Sequence, residues 1–480
     1  MVNKPFYITT TLPYVNAEPH LGHALEFVRA DVVARYKKSL GYDVFFNTGT
    51  DEHGTKILEG AEKEGIPVQE YVDRNAARFK ELYPKLGITD DIHFIRTTDD
   101  VHIKAAQEMW KRCEANGYIY KKEYEATYCV GCELYKTDSE LVDGKCPIHP
   151  NRDIEIIKEE NYFFDFKKVA PLLKKLYEEN PTLVIPDFRF NEIKAFLDRG
   201  LEDFSISRLK SKMSWGVPVP GDDEHVMYVW FDALTSYIST LGWPDESGDF
   251  RYWKEGTPVQ YCGKDNLRQQ SAIWQGMLLA AGLPHTHNII IDGFIISGGQ
   301  KMSKSIGNVI NPFDVIEMFK DVTDYPEDVL RFILLHEVPS FEDGDITIES
   351  IKTAYTAYLA NGIGNLTSRI MKMATVNGVT LQGDGTIELS NYFEDYNVNV
   401  ALHVLMHKVS QIDKTIADSE PFKLIKTEPE KAKEIIRQLI RELYACAKAL
   451  EVFIPKTSAK ILECIRENKM PEKPLFARLA

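Results

Sequence analysis

The chain has 480 residues, 44% of them hydrophobic and 27% charged, with a formal charge of -15. That length suits two to four packed units, and the charge argues against grip on nucleic acid by wholesale positive charge while leaving room for local basic patches. No run approaches the roughly 20 apolar residues of a membrane span and no signal-peptide pattern opens the chain, so no membrane contact and a cytoplasmic address are expected.

"KPFYITTTLPY" reads as a short strand ending in a turn, "HALEFVRADVVARYKKSLGY" has helical spacing, and "DVFFNTGTD" is a second strand. This order predicts an open parallel sheet. Between strand and helix stand His20, Gly22 and His23. A helix start with unpaired N–H groups favours phosphate, a glycine lets a nucleotide approach the backbone, and two imidazoles three apart share one face. The competing reading is a capping histidine beside a surface one.

Helical text continues to about residue 116, where short strands, turns and cysteines begin, so an insert is placed at 117–225. Seven cysteines fall at 113, 129, 132, 146, 262, 446 and 464. Within the insert, "CVGC" and "CPIH" present Cys129, Cys132, Cys146 and His149, the donor set and knuckle spacing of one structural zinc ion. A disulfide with stray residues is the alternative, disfavoured by the expected reducing setting. The sheet is expected to resume with "HVMYVWFDALTSYIST", "PVQYCGKDN" and "HNIIIDGFI".

"GGQKMSKS" at 298–305 is a glycine-rich turn carrying Lys301 and Lys304, two cations on flexible stems suited to following charge across a triphosphate. Alone it also reads as a solvated surface turn. From about 349 onward, amphipathic patterns predict a helical bundle.

Together, "HLGH" and "KMSKS" resemble the paired signature of the class I aminoacyl-tRNA synthetases. The finer likeness is to the methionyl-tRNA synthetase family, through "ITTTLPYVNAEPHLGH", "FNTGTDEHGTKI", "YVWFDALTSY", "GKDN", "KMSKSIGN" and "KPLFARL", which span essentially the whole chain. The resemblance implies an α/β fold: a split Rossmann-like parallel sheet of the class I synthetase type, a small zinc-binding insert and a C-terminal all-α anticodon-binding bundle. The expected boundaries are 1–116 and 226–295 for the two halves of the catalytic domain, 117–225 for the insert, 296–348 for the KMSKS loop and stem-contact region, and 349–480 for the bundle.

It further implies activation of L-methionine with ATP and Mg2+, then transfer to the 2'-hydroxyl of the terminal adenosine of tRNA(Met), by a monomer. His20, His23, Lys301 and Lys304 would stabilise charge at phosphorus, with Gly22 and Asp265 also contacting ATP. Asp51 offers a carboxylate to the α-ammonium and Leu12 a carbonyl. Tyr14, Trp230 and Tyr237 supply aromatic walls suited to a thioether, and Ala233 and Leu234 line the cavity. Trp230 and Tyr237 also read as core aromatics. The chain departs from the family at Asn266 and Gln270, where isoleucine and histidine are usual, so a more polar or differently hydrogen-bonded methionine site is expected there.

In the bundle, Asn365, Arg369 and Phe422 are the implied anticodon readers, an amide and a guanidinium for base edges and a ring for stacking. The family generally has tryptophan where Phe422 stands, and a purely structural role, with Phe422 buried between helices, stays open. Two other functions remain: a tRNA-binding relative that has lost activation, against which both intact basic clusters argue, and an enzyme for another amino acid, motivated by Asn266 and Gln270.

Overall fold

In the computed structural model, which describes residues 4–132, 134–136, 140–302 and 307–479, the chain divides into two units. The first comprises residues 1–18, 42–80 and 91–291, the second 19–41, 81–90 and 292–480.

The first unit is built on a six-stranded sheet formed by β1 (Pro5–Thr10), β2 (Asp43–Thr50), β3 (His93–Arg96), β4 (Val184–Ile185), β5 (Val259–Gly263) and β6 (Asn288–Asp292), in the order β3-β2-β1-β5-β6-β4. β3, β2, β1 and β5 pair in parallel, as do β6 and β4. Phe6, Tyr7 and Ile8 in β1 and Ile289, Ile290 and Ile291 in β6 are all buried. Strands covered on both faces read as unbroken apolar runs, which is why these segments lack alternation.

The stretch 226–239 departs from the expected sheet. Asp222–Met227 joins a separate three-stranded antiparallel sheet, and Val229–Ala233 and Ser236–Ser239 are short helical turns. A short, fully buried apolar run has no period that distinguishes strand from helix. Conversely, β4, which lies in the 117–225 stretch, adds to the edge of the parallel sheet.

Within that stretch, Ile119–Cys129 and Ile154–Phe164 form one long antiparallel ladder, with Cys129 opposite Ile154 at its end. The strand Leu134–Lys136 pairs antiparallel with the Cys129 end of that ladder, Cys129 opposite Leu134.

The second unit is helical and includes α1 (Leu21–Ser39), α2 (Pro326–Glu337), α3 (Asn365–Val376) and α4 (Val398–Ser419). Its centre holds charge. Arg331 of α2 and Asp31 of α1 are both fully buried and pair at 2.7 Å, while the guanidinium also donates to the carbonyls of Phe453, Val452 and Leu86 at 2.7, 3.1 and 3.2 Å. Asp31 in turn accepts from Thr89 N–H at 2.9 Å and Arg35 at 2.7 Å. Such a set stabilises only while complete, because removing one partner strands buried polar groups. Arg331→Ala is expected to lower the unfolding free energy by about 3 kcal/mol or more in urea titration; a loss below about 1 kcal/mol would show that water replaces the guanidinium.

Candidate active site and metal centre

His20 is the N-cap of α1, and its ring and that of His23 stack at 3.8 Å between centroids. Gly22 N–H donates to His20 Nδ1 at 3.1 Å, and His20 N–H donates to His23 Nδ1 at 3.2 Å. A backbone N–H can only donate, so each Nδ1 presents its lone pair and each neutral ring carries its proton on Nε2. Burial, and then the neighbouring His20, push His23 well below the usual imidazole range, which keeps that ring neutral.

The capping reading and the donor reading therefore hold together: Nδ1 closes the helix and Nε2–H is the group that can face a ligand. The expectation of unpaired N–H groups is corrected, since Gly22, His23 and Ala24 N–H all go to His20. Gly22 serves the cap as well, because a Cβ there would stand 2.9 Å from His20 Cε1.

In the same unit, Ile296 pairs with Lys301 across a hairpin whose turn is Gly298–Gly299, both at positive φ (63° and 74°). Left-handed backbone at two consecutive positions selects glycine. Their N–H groups donate to the two oxygens of Asp345 at 2.8 Å each, and Asn308 braces Ser297 and Lys301 carbonyls. Lys301 is exposed, its ammonium 4.6 Å from the centroid of the Phe294 ring. Lys304 lies outside the described residues.

The residues read as an amino-acid pocket belong to the first unit. Asp51 follows β2 and is buried; its N–H donates to Pro13 carbonyl at 2.9 Å, and its own carbonyl accepts from Val15 N–H at 3.2 Å. Tyr14 is bridged to Asp51, so the loop after β1 and the end of β2 are tied at the carboxyl edge of the sheet, where open α/β sheets bind ligands. Leu12, Ala233, Leu234 and Tyr237 are buried and Trp230 half-buried.

Gln270 is fully buried and donates through Nε2 to the Tyr237 hydroxyl. Asn266 is only half-buried and Asp265 exposed, both in the turn Lys264–Asn266 that precedes a π-helical turn at Gln269–Trp274. Backbone groups set the direction of the hydrogen bonds behind Gln270. Gln275 Oε1 accepts from Thr286 N–H at 3.1 Å, and its Nε2 donates to Gln270 carbonyl at 3.1 Å and Thr286 Oγ1 at 2.9 Å. The Thr286 hydroxyl then donates to Gln260 Oε1, and Gln260 Nε2 to Gln270 Oε1 at 3.0 Å. The usual histidine is thus replaced by an amide whose orientation is fixed from the core.

Sequence reasoning missed a cluster in the same unit. Asp232 is fully buried and takes one hydrogen bond from His53 Nδ1 and one from His102 Nε2, both at 2.6 Å. Burial would raise this carboxyl, but the His53 and His102 contacts outweigh it and hold Asp232 at about 2. Both "DEHG" and "WFDA" were in view, yet 179 positions separate His53 from Asp232, and no local spacing signals such a pair.

The knuckle residues come together. One ligand atom from each of Cys129, Cys132, Cys146 and His149 lies within 4.8 Å of every other. Cys132 Sγ is 3.4 Å from Cys146 Sγ and 3.2 Å from His149 Nδ1. A disulfide needs about 2.05 Å, whereas two sulfurs each about 2.3 Å from a tetrahedral zinc stand roughly 3.8 Å apart, so the spacing suits a metal. Burial pushes the Cys132 thiol up to about 12; at Cys146 the same pressure is outweighed by Cys132 and the N–H groups of His149 and Ile148, which lower it. Gly131 makes room for the ligand, as a Cβ there would lie 2.3 Å from His149 Cγ. Lys56 donates to Gly131 carbonyl at 2.6 Å and joins the knuckle to the helix Thr55–Glu64.

In the second unit, Asn365 and Arg369 stand one turn apart on α3, Asn365 exposed and Arg369 half-buried in an ion pair with Asp413 of α4. Phe422, just past the end of α4, is 46% exposed rather than buried between helices, so its ring is accessible to a stacking partner.

The family model described as tRNA synthetases class I (M) matches residues 6–155 and 151–371. The methionine–tRNA ligase of Brucella suis biovar 1 is 37% identical over 97% of this chain and 92% of its own length; that of Thermotoga maritima is also 37% identical, over 98% and 76%. Among solved structures, Mycobacterium tuberculosis methionyl-tRNA synthetase in complex with methionyl-adenylate superposes with a TM-score of 0.89 at 33% identity, over 96% of this chain and 93% of that one. Its apo form gives 0.83 at 30% identity, over 100% and 99%. The chain belongs to the methionine–tRNA ligase family of class I tRNA synthetases.

Proposed function

We propose that this chain is a methionine–tRNA ligase in which His20, His23, Lys301 and Lys304 act on one ATP triphosphate. The methionine carboxylate attacks the α-phosphorus of Mg-ATP, a P–O bond forms to the carboxylate oxygen, and the bond to pyrophosphate breaks. The 2'-hydroxyl of the terminal adenosine of tRNA(Met) then attacks the activated carbonyl and releases AMP. No side chain becomes covalently attached. The two Nε2–H donors and the lysine ammonium groups stabilise charge that grows as phosphorus is attacked. The observation that carries this reading is the paired capping bond at the start of α1, which fixes both rings as neutral donors.

In the same proposal, Gly22 and Asp265 contact ATP, and Asp51 binds the methionine ammonium. Leu12, Tyr14, Trp230, Ala233, Leu234, Tyr237, Asn266 and Gln270 form the rest of the pocket. Asn365, Arg369 and Phe422 read the anticodon. Cys129, Cys132, Cys146 and His149 hold one zinc ion, which closes a small, core-poor hairpin and supplies no chemistry to the reaction. The domain limits expected from the sequence, a monomeric state and a cytoplasmic setting belong to this reading; among the described residues no helix is long and apolar enough to cross a membrane.

Methionine-dependent ATP–pyrophosphate exchange and charging of tRNA(Met) test the function; activity with another amino acid in preference to methionine, or none in folded protein, would contradict it. His20→Asn separates cap from catalysis, because the amide oxygen replaces Nδ1 at the N-cap while the Nε2–H donor is lost. Stability within about 0.5 kcal/mol of the parent is expected in urea titration, with exchange slowed about 100- to 1,000-fold; unchanged exchange would remove His20 from the chemistry. Elemental analysis should find about one zinc per chain, lost in Cys146→Ser together with protease resistance of the 129–149 segment. A zinc content near zero in folded parent protein would contradict the knuckle.

A further inference from the structure

The turns proposed to line the methionine pocket share a buried charge. Asp232 lies inside the helical turn Val229–Ala233, between Trp230 and Ala233. His53 is two residues beyond Asp51. His102 belongs to the helix Asp100–Ala115, packed in the core of the first unit, and its other ring nitrogen meets Ser239 Oγ at 3.0 Å. Ser239 ends the turn Ser236–Ser239 that contains Tyr237 and hydrogen-bonds back to Ser236 carbonyl. One carboxylate therefore reaches three segments: the loop after β2, the turn bearing Trp230, and, through His102, the turn bearing Tyr237.

Asp232 and His102 are wholly buried and His53 nearly so, so no water shell competes for these bonds, and at 2.6 Å both are at least as short as charge-assisted N–H···O bonds of about 2.7–2.9 Å. The Trp215 and His53 rings meet in a T-shaped contact with centroids 5.6 Å apart, and Trp215 Nε1–H donates to Glu52 carbonyl at 2.7 Å, which ties the indole to the residue before His53. Packed apolar side chains would fill this volume without desolvating a charge. What they would not do is fix the relative placement of three polar-edged segments through directional bonds.

We propose that Asp232 is a positioning residue for amino-acid binding: by accepting from His53 and His102 at once, it holds Asp51, Trp230 and Tyr237 in one arrangement. This rests on the methionine-pocket reading above. Loss of the clamp loosens the amino-acid site and leaves the triphosphate machinery at His20 and His23 as it is. A displacement of about 1 Å in a positioned group suffices for a large loss of binding or rate.

The test uses the full-length chain in methionine-dependent ATP–pyrophosphate exchange, with melting temperature recorded alongside. In Asp232→Asn the amide keeps the shape but faces one imidazole N–H with its own N–H. The KM for methionine is expected to rise about tenfold or more while the KM for ATP stays within about twofold. His53→Asn, whose amide nitrogen takes the place of Nδ1, is expected to stay near the parent value, and His53→Leu to rise. Equal effects on the two KM values in Asp232→Asn, or none, overturn the proposal. If Asp232→Asn does not fold, the His53 pair decides, and equal KM values for Asn and Leu overturn it. Absence of methionine-dependent exchange in the parent chain would instead defeat the pocket reading itself.

Discussion

At the start of α1 two backbone N–H groups are spent on two imidazoles, and the proposed chemistry depends on that exchange. Because Gly22 and His20 N–H donate to Nδ1 of His20 and His23, the rings are held in one tautomer and stacked against each other, and His23 is kept neutral by burial. A phosphate binder built from bare helix N–H groups would rely on the helix end alone. Here the capping bonds turn that end into two directed side-chain donors, and Gly22 is the residue that lets the His20 ring fold back onto its own helix. Each ring therefore serves the cap as well as the proposed chemistry, and the two roles part only where a substitute restores the acceptor at Nδ1, as the amide oxygen of His20→Asn does.

The first unit follows the same logic more deeply. Its sheet supplies the carboxyl edge where the loop after β1 meets Asp51, while the walls around that edge are set by buried polar bonds rather than by apolar packing alone. The amides of Gln275, Gln260 and Gln270 form a chain whose direction is dictated by Thr286 N–H and Gln270 carbonyl. Asp232 does the equivalent with charge. Fully satisfied buried networks of this kind cost little once formed and restrict the arrangements a core can adopt, whereas partly satisfied ones are costly. Under the proposed reading of these residues as an amino-acid pocket, such bonds are a physical route to the rigidity that distinguishing a thioether from a hydrocarbon of similar size requires.

How much of this was legible in the sequence varied with range. The imidazole pair, the lysine loop and the knuckle are signalled by residues within twenty positions of one another, and the knuckle's four side chains do gather around one point. The strands β1, β2, β5 and β6 were visible as apolar runs. The run at 226–239 reads as a strand of the parallel sheet although it is not one, because burial at every position but Trp230 erases the period. His53, His102 and Asp232 carry no local signature, since their partners lie more than a hundred positions away. Gln270 was recognised as a departure, but its orientation is decided by Gln260, Gln275 and Thr286, which no motif contains. Conversely, Phe422 could have been core by its spacing, and only the fold shows its ring exposed.

The most direct measurement of the histidine pair is the protonation of its nitrogens in 15N-histidine-labelled protein by two-bond 1H–15N correlation at neutral pH. Both His20 and His23 are expected as neutral Nε2–H tautomers, with their Nε2–H signals moving when Mg-ATP and methionine are added. An imidazolium or Nδ1–H form at either residue, or signals unmoved by the substrates, would contradict the role given to the start of α1.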